Sequence, residues 1–400
     1  MAAFGQPFLF QIFVIMRSHS YLNSAKKILN EYDGSMPFAN WLKQYFKSNK
    51  KFGSKDRKEI SNLCYCFFRL GYAFQTYPVE EKILLGLFLS TTEKSIVLEE
   101  LKPEWNKAVH HTLSEKILMV DATNEIDHLF HFNEELSVQI NKELFQRSFL
   151  VQPHLYLRIR PGKQDMVFNT LQRASVDFTV ISHNCIALAN STGIDKLIEL
   201  DRDTVVQDLN SQRIMELFPP GSQKHKTATV WDCCAASGGK SIMLYDTVPH
   251  AHLTVSDIRQ SILQNLYNRF KRAGIKHYDA FVADVSDKDF SISKKFSLVI
   301  CDAPCSGSGT WSRTPEQLLF FKKEQIDHYT SLQKKIALNA AKAVDNKGHF
   351  LYITCSVFTK ENEEVVASIL KHTSLQLENS VYFKGYEKRA DTLFAALFRL

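Results

Sequence analysis

The chain has 400 residues, enough for two or three domains with several buried cores. Its 44% apolar and 23% charged residues exclude wholesale disorder, collagen and low-complexity repeats, and its 15 Gly and 11 Pro form no flexible linker. The net charge of +6 is unevenly spread: eleven Lys or Arg face four Asp or Glu between Arg17 and Tyr72, and the remainder sums to −1. A basic N-terminal region on a near-neutral body suits a polyanion such as nucleic acid, and the alternative is a solvated helical surface. The eight cysteines (Cys64, Cys66, Cys185, Cys233, Cys234, Cys301, Cys305 and Cys355) include no Cys-x-x-Cys pair. That argues for no metal site and for free thiols in a reducing compartment, hence a cytoplasmic protein.

In chain order, the apolar run Phe8–Met16 is too short for a bilayer, which needs about 20 residues. It lacks the flanks of a signal peptide. Residues 1–16 are therefore read as a non-native or disordered extension with Met16 as the natural start, and no other stretch could cross a membrane. Residues 17–148 read as an all-helical domain, with helical spacing over Ser20–Leu29, Lys55–Leu70, Glu80–Leu89, Trp105–Ile117 and Glu134–Phe145. Residues 149–205 read as a small α+β unit. Leu155–Arg160 alternates like a strand, Pro161-Gly162 breaks it, Gln164–Ala174 is helical, and Phe178–Ile181 and Cys185–Leu188 are short strands. Residues 206–400 form the last domain, with a loop at Pro219–His225. Beyond it, buried-strand runs at Ala228–Asp232, His252–Asp257, Asp279–Val282, Phe296–Cys301 and Phe350–Ile353 alternate with helices at Ile258–Ala273 and Gln325–Val344. This predicts an α/β, mostly parallel doubly wound sheet with its ligand at the carboxyl ends of the strands, closed by an antiparallel hairpin within Tyr382–Leu400.

The first of these strands runs into Asp232-Cys233-Cys234-Ala235-Ala236-Ser237-Gly238-Gly239-Lys240-Ser241 and opens a helix. Paired glycines admit a ligand close to the backbone, and the helix start presents free N–H groups. The ending imitates a phosphate-binding P-loop, but Cys234 stands where that motif needs glycine. Asp257 ends the next strand, eighteen residues after Gly239, where an acid accepts ribose hydroxyls; Asp284 follows the third strand, at the adenine edge. Each alone is as well explained by a turn or a cap. In series they point to an adenosine-bearing cofactor. The strongest segment is Asp302-Ala303-Pro304-Cys305-Ser306-Gly307-Ser308-Gly309-Thr310 after the fourth strand, with Cys355 in Thr354-Cys355-Ser356 after the fifth. Neighbouring strands then bring one acid and two thiols to one crevice, against the plainer reading of two buried cysteines.

These segments resemble the NOL/NOP/Sun family of S-adenosylmethionine-dependent RNA cytosine-5 methyltransferases, whose bacterial members include one acting on small-subunit ribosomal RNA. The resemblance rests on Cys234–Lys240, Asp257, Asp284, Asp302–Gly307 and Thr354-Cys355-Ser356 with Glu361-Asn362-Glu363, and extends to Val206-Gln207-Asp208, Ser211-Gln212 and Asp391–Ala396. It covers the C-terminal half. The helical domain is similar only in general character to the NusB-like domain of the bacterial members.

The resemblance implies a Rossmann-like class I methyltransferase domain, an RNA-recognition-like unit at 149–205, and S-adenosylmethionine held by Cys234, Ala235, Ala236, Ser237, Gly238, Gly239, Lys240, Asp257, Asp284 and Asp302. It makes Cys355 the nucleophile that adds to cytosine C6, Cys305 the residue assisting release, and Asp302 the contact to the base. Chemistry explains the need, because cytosine C5 attacks a methyl donor only after a thiolate has added at C6. Ser237 replaces a proline usual in the family's cofactor loop, and in Trp311–Pro315 only Arg313 remains of two usual basic residues. RNA contacts are expected from Arg158, Arg160, Lys163, Arg313, Lys50, Lys51, Lys55 and Arg57, which supply affinity rather than sequence choice. The target base is unpaired or flipped. The expected partner is RNA, ribosomal before transfer RNA, with no membrane, no metal and a monomeric state. The competing readings are a weakly active ribosome-assembly protein of the same fold, and a transfer RNA, DNA or small-molecule methyltransferase.

Overall fold

The computed structural model describes residues 6–218, 228–248 and 250–400, with the backbone alone for residues 6–16. Residues 1–5 and the loop expected at Pro219–His225 lie outside the described residues. The chain forms two compact units that are interleaved in sequence. One comprises the chain up to Asn133, Asn141–Gln152 and Trp311–Phe321, and the other Glu134–Ile140, Pro153–Thr310 and Lys322–Leu400.

The first unit is helical. Its opening helix runs Gln6–Glu31, so it includes residues 6–16 of the stretch read as an extension. Phe38–Ser48, Ser54–Arg69 and Val79–Ser90 follow. In Val79–Ser90 every residue from Lys82 to Leu89 is buried, as befits a helix at the centre of its unit. Gly86 lets it approach its neighbour, since a Cβ there would lie 2.1 Å from the Cys66 carbonyl oxygen. Tyr32, Phe38, Phe68 and Phe320 join in edge-to-face contacts at 4.8–6.1 Å. The buried guanidinium of Arg69 donates to the carbonyls of Phe149 (2.7 Å) and Ser312 (3.0 Å) and to Gln152 (2.6 Å), tying the three sequence segments together.

Two expected helices are different. Trp105–Ile117 is broken into Pro103–Lys107 and Leu113–Met119, because Thr112 and Glu115 form a capping box that restarts the helix. Glu134–Phe145 is helical only from Lys142, in Lys142–Ser148. Leu136 instead bridges Phe358, and the Ser137 N–H donates to the Val357 carbonyl at 3.0 Å, so 134–140 belongs to the other unit.

The second unit holds two sheets. The smaller contains β1 (Leu155–Ile159), β2 (Thr179–Ser182), β3 (Cys185–Leu188) and β4 (Thr204–Val206) in the order β2-β3-β1-β4, all antiparallel. The helix Gln164–Arg173 packs Val167 and Leu171 on Leu157, Ile159, Ile186 and Leu188. This is a β-α-β-β-α-β pattern whose second helix is reduced to the turn Ile194–Lys196.

The larger sheet contains β5 (Thr229–Asp232), β6 (His252–Asp257), β7 (Tyr278–Val282), β8 (Phe296–Asp302), β9 (Val344–Thr354), β10 (Gln376–Phe383) and β11 (Leu393–Arg399). The order is β10-β11-β9-β8-β5-β6-β7, with only β11 antiparallel to its neighbours. Val230, Val255, Ile300 and Leu351 on the strands are buried with Ile242, Leu263, Leu266 and Phe270 of the helices Gly239–Thr247 and Gln260–Ala273. Strand order reverses between β5 and β8, which opens a crevice at their carboxyl ends.

Arg158 and Arg160, expected on an RNA-facing surface, are internal. Being two residues apart on β1, they point to the same face, and that face meets Asp246. Arg158 donates to Asp246 at 2.6 Å and to Gln207 at 2.8 Å. Arg160 donates to Asp246 at 2.7 Å and to the Ala273 carbonyl at 2.7 Å. Asp246 is 4% exposed, and Arg158 3%. Beside them Asp201 accepts from Arg269 and Arg272 at 2.8 and 2.7 Å. Asp246→Ala leaves two buried cations unpaired and should cost about 3–5 kcal/mol in urea unfolding. Lys163→Ala, which removes a half-exposed partner 3.4 Å from Asp203, should cost under about 1 kcal/mol.

Candidate active site

The β5–helix turn is shaped by its short residues. Ala236 and Gly238 take φ of +47° and +83°. At Gly238 a Cβ would also meet the Phe270 ring at 2.8 Å, so only glycine fits. The Ala236 N–H donates to the Asp257 carboxylate at 3.0 Å, and the Ala235 N–H to the Ser256 carbonyl at 2.9 Å, so the end of β6 fixes the loop. Arg259 holds the other Asp257 oxygen through its N–H (2.9 Å) and its guanidinium (3.1 Å). Asp284 lies exposed beyond β7, held by Ser286 at 2.6 Å. Carboxylates at two successive strand ends, beside a loop that needs glycine, suit a ligand offering hydroxyl and amino donors, as a nucleoside does.

Lys240, the second residue of the following helix, reaches across to Asp302 at the end of β8, 2.5 Å away. Burial pulls the Lys240 ammonium down, but Asp302 outweighs it and holds the pKa above the ordinary lysine value. The pair sits at the β5–β8 switch point.

Cys305 follows Asp302 by three residues and Cys355 follows β9 directly, and their sulfurs stand 3.3 Å apart. Both are half-buried, and all eight cysteines of the chain are free. The Cys355 thiol beside it, together with burial, pushes Cys305 well above the usual thiol range. The approach of the two loops depends on Gly309, whose N–H donates to the Cys355 carbonyl at 2.9 Å and whose missing Cβ would lie 2.1 Å from the Thr392 carbonyl oxygen.

The structure thus brings together Cys234–Lys240, Asp257, Asp302, Cys305 and Cys355 along the carboxyl ends of β5, β6, β8 and β9. The remaining basic candidates belong to the helical unit. Lys50, Lys51, Lys55 and Arg57 are exposed around the start of the helix Ser54–Arg69, with Arg57 donating to the Phe52 carbonyl at 2.9 Å. Arg313 is half-buried in the 311–321 segment, whose Trp311 packs on Phe130, Phe132 and Phe321. The motifs gave no role to Ser306, Gln333, Ser356, Glu361 or Asn362, which meet around the two cysteine loops. The sequence signals were the serine beside each cysteine and the polar run Glu361-Asn362-Glu363 close behind Cys355.

Strand order, switch-point crevice and loop together define a class I methyltransferase fold. Residues 222–392 match the family model described as 16S rRNA methyltransferase RsmB/F. Relatives named ribosomal RNA small subunit methyltransferase B include one from Enterobacter sp. (strain 638), 29% identical over 234 residues, or 56% of this chain and 52% of the relative. Another, from Proteus mirabilis, is 31% identical over 229 residues, covering 55% and 52%. The chain spans about half the length of these relatives. Among solved structures, PH0851 superposes with a TM-score of 0.66 at 18% identity, over 96% of this chain and 99% of that one. NSun6 from Pyrococcus horikoshii with SFG gives 0.56 at 12% identity, over 64% and 94%. Both show a shared fold. Among the described residues no helix is long and apolar enough to cross a membrane.

Asp232, at the base of this site, makes a pH prediction. It is buried, accepts from Ser241 at 2.6 Å, and burial pushes its carboxyl up to about 7. In the unfolded chain an aspartate titrates near about 3.9, so between about pH 4 and pH 7 the folded protein keeps a proton that the unfolded chain has lost. Its contribution to stability therefore falls as pH rises through that window. Asp232→Asn should flatten the decline, read as melting temperature against pH.

Proposed function

We propose that the chain is an S-adenosylmethionine-dependent RNA cytosine-5 methyltransferase whose substrate is ribosomal RNA. The observation that carries this reading is the pair of thiols 3.3 Å apart beside the Lys240–Asp302 ion pair, at the switch point of an RsmB/F-type domain. The glycine loop and the carboxylates of Asp257 and Asp284 fit the nucleoside of the cofactor. When bound, S-adenosylmethionine supplies an electrophilic sulfonium methyl group.

The chain's own residues do the rest. The Cys355 sulfur adds to C6 of an extruded cytosine, breaking the C5–C6 double bond and leaving an enamine nucleophilic at C5. Asp302 hydrogen-bonds the base near N3, and the cation of Lys240 keeps that carboxyl group in place. After methylation solvent takes the C5 proton, the pair left on C5 re-forms the C5–C6 double bond, and the Cys355–C6 bond breaks with its pair returning to sulfur as the thiolate. Cys305, held as a thiol beside Cys355, is placed to assist that last step. The exposed Lys50, Lys51, Lys55 and Arg57 supply contacts to phosphates. Free cysteines throughout fit a reducing, cytoplasmic setting.

The test is transfer of labelled methyl from S-adenosylmethionine to unmodified ribosomal and transfer RNA, with 5-methylcytosine as product. Cys355→Ala should lose at least about three orders of magnitude in rate, as removal of a nucleophile does. Cys305→Ala should accumulate a covalent RNA–protein adduct on denaturing gels. Label in transfer RNA alone would reassign the substrate, and full activity in Cys355→Ala would end the proposal.

A further inference from the structure

We infer that Glu361 is a positioning residue of the two-thiol site: one buried carboxylate clamps the loop carrying Cys305 to the loop carrying Cys355. This rests on the reading of those thiols as the reacting pair. Glu361 is fully buried, yet every acceptor position is used. Oε1 accepts from the Ser306 N–H at 2.8 Å and from Gln333 at 2.9 Å. Oε2 accepts from the hydroxyls of Ser306 and Ser356. Four donors on two oxygens match the capacity of an ionised carboxylate.

Ser306 follows Cys305 and Ser356 follows Cys355, so each reacting thiol lies one residue from an arm of the clamp. Gln333 extends it, donating also to the Pro304 carbonyl at 2.9 Å, one residue before Cys305. Ser308 closes the ring with contacts to Ser306 at 3.1 Å and Ser356 at 3.2 Å, and accepts from the Val357 N–H at 3.0 Å. Asn362 holds the Cys355 loop from behind, donating to the Ser356 carbonyl at 2.9 Å and accepting from Thr354 at 2.5 Å.

The carboxylate also has an electrostatic consequence. After the Cys355 contact and burial, the Glu361 charge is a further cause that raises the Cys305 pKa. The clamp therefore sets distance and adds to the Cys355 contact and burial that raise the Cys305 pKa. A packing role alone would set neither property through charge.

The test uses the full chain with Glu361→Gln, and with Ser306→Ala and Ser356→Ala, each removing one arm in case the first variant fails to fold. Two measurements are made on each: steady-state methyl transfer, and pH-dependent alkylation of Cys305 by iodoacetamide, followed by peptide mass spectrometry. Glu361→Gln should lower kcat about a hundredfold, the scale of a 1 Å misplacement, with KM for RNA and cofactor little changed. It should also move the Cys305 alkylation midpoint to lower pH, because a negative neighbour is gone. The serine variants should lower kcat without moving KM. A folded Glu361→Gln with an unchanged alkylation midpoint and unchanged kcat would overturn the proposal. If the native chain methylates no RNA, the functional reading fails, while the alkylation midpoint still decides whether the clamp acts on Cys305.

Discussion

A carboxylate taken out of water costs several kcal/mol unless donors replace its hydration. That constraint organises the two-sheet unit. Asp246 and Asp201 meet it with arginines from β1 and from the helix Gln260–Ala273 and its end, which locks the small sheet against the large one within a single unit. Asp257 meets it with the backbone of the glycine loop and with Arg259. Glu361 meets it with two serines and a glutamine from three different segments. In each case the carboxylate accepts from at least one donor far away in the sequence, so satisfying the charge also sets the geometry.

The sheet supplies the frame on which those carboxylates act. Because β5, β6, β8 and β9 are parallel, their carboxyl ends lie along one edge, and the order reversal between β5 and β8 leaves that edge open to a ligand. Every residue with a chemical part in the proposed reaction stands at or just past such an end. The hydrophobic strand interiors, with Val230, Val255, Ile300 and Leu351 buried, keep those ends rigid. Reactivity and rigidity are thus divided between the last residue of each strand and the residues before it.

The interleaving of the two units follows from the same economy of contacts. Trp311–Phe321 continues directly from the Cys305 loop, but its Trp311 and Phe321 find their apolar neighbours in the helical unit. Glu134–Ile140 does the opposite, leaving the helical sequence to pair through Leu136 and Ser137 with Phe358 and Val357. Helical periodicity over Glu134–Phe145 was a sound local signal that a backbone pairing partner far along the chain outweighed.

Much was legible in the sequence because the signals were local. Buried apolar runs alternating with helices marked the parallel strands, adjacent glycines marked the loop at Gly238, and the placement of Asp302, Cys305 and Cys355 after successive strands marked the candidate site. What sequence could not decide was which polar side chains turn inward. Arg158 and Arg160 read as a basic strand face, and only the position of Asp246, 86 residues beyond Arg160, made that face internal. Glu361 read as one member of a polar run, and only the meeting of the Cys305 and Cys355 loops gave it four donors. Local pattern determined the strands, the glycine loop and the candidate site residues, since each follows from neighbours in the chain. Tertiary structure decided the pairing of charges and the 3.3 Å approach of the two thiols, since a buried charge is defined by groups that sequence distance does not reveal.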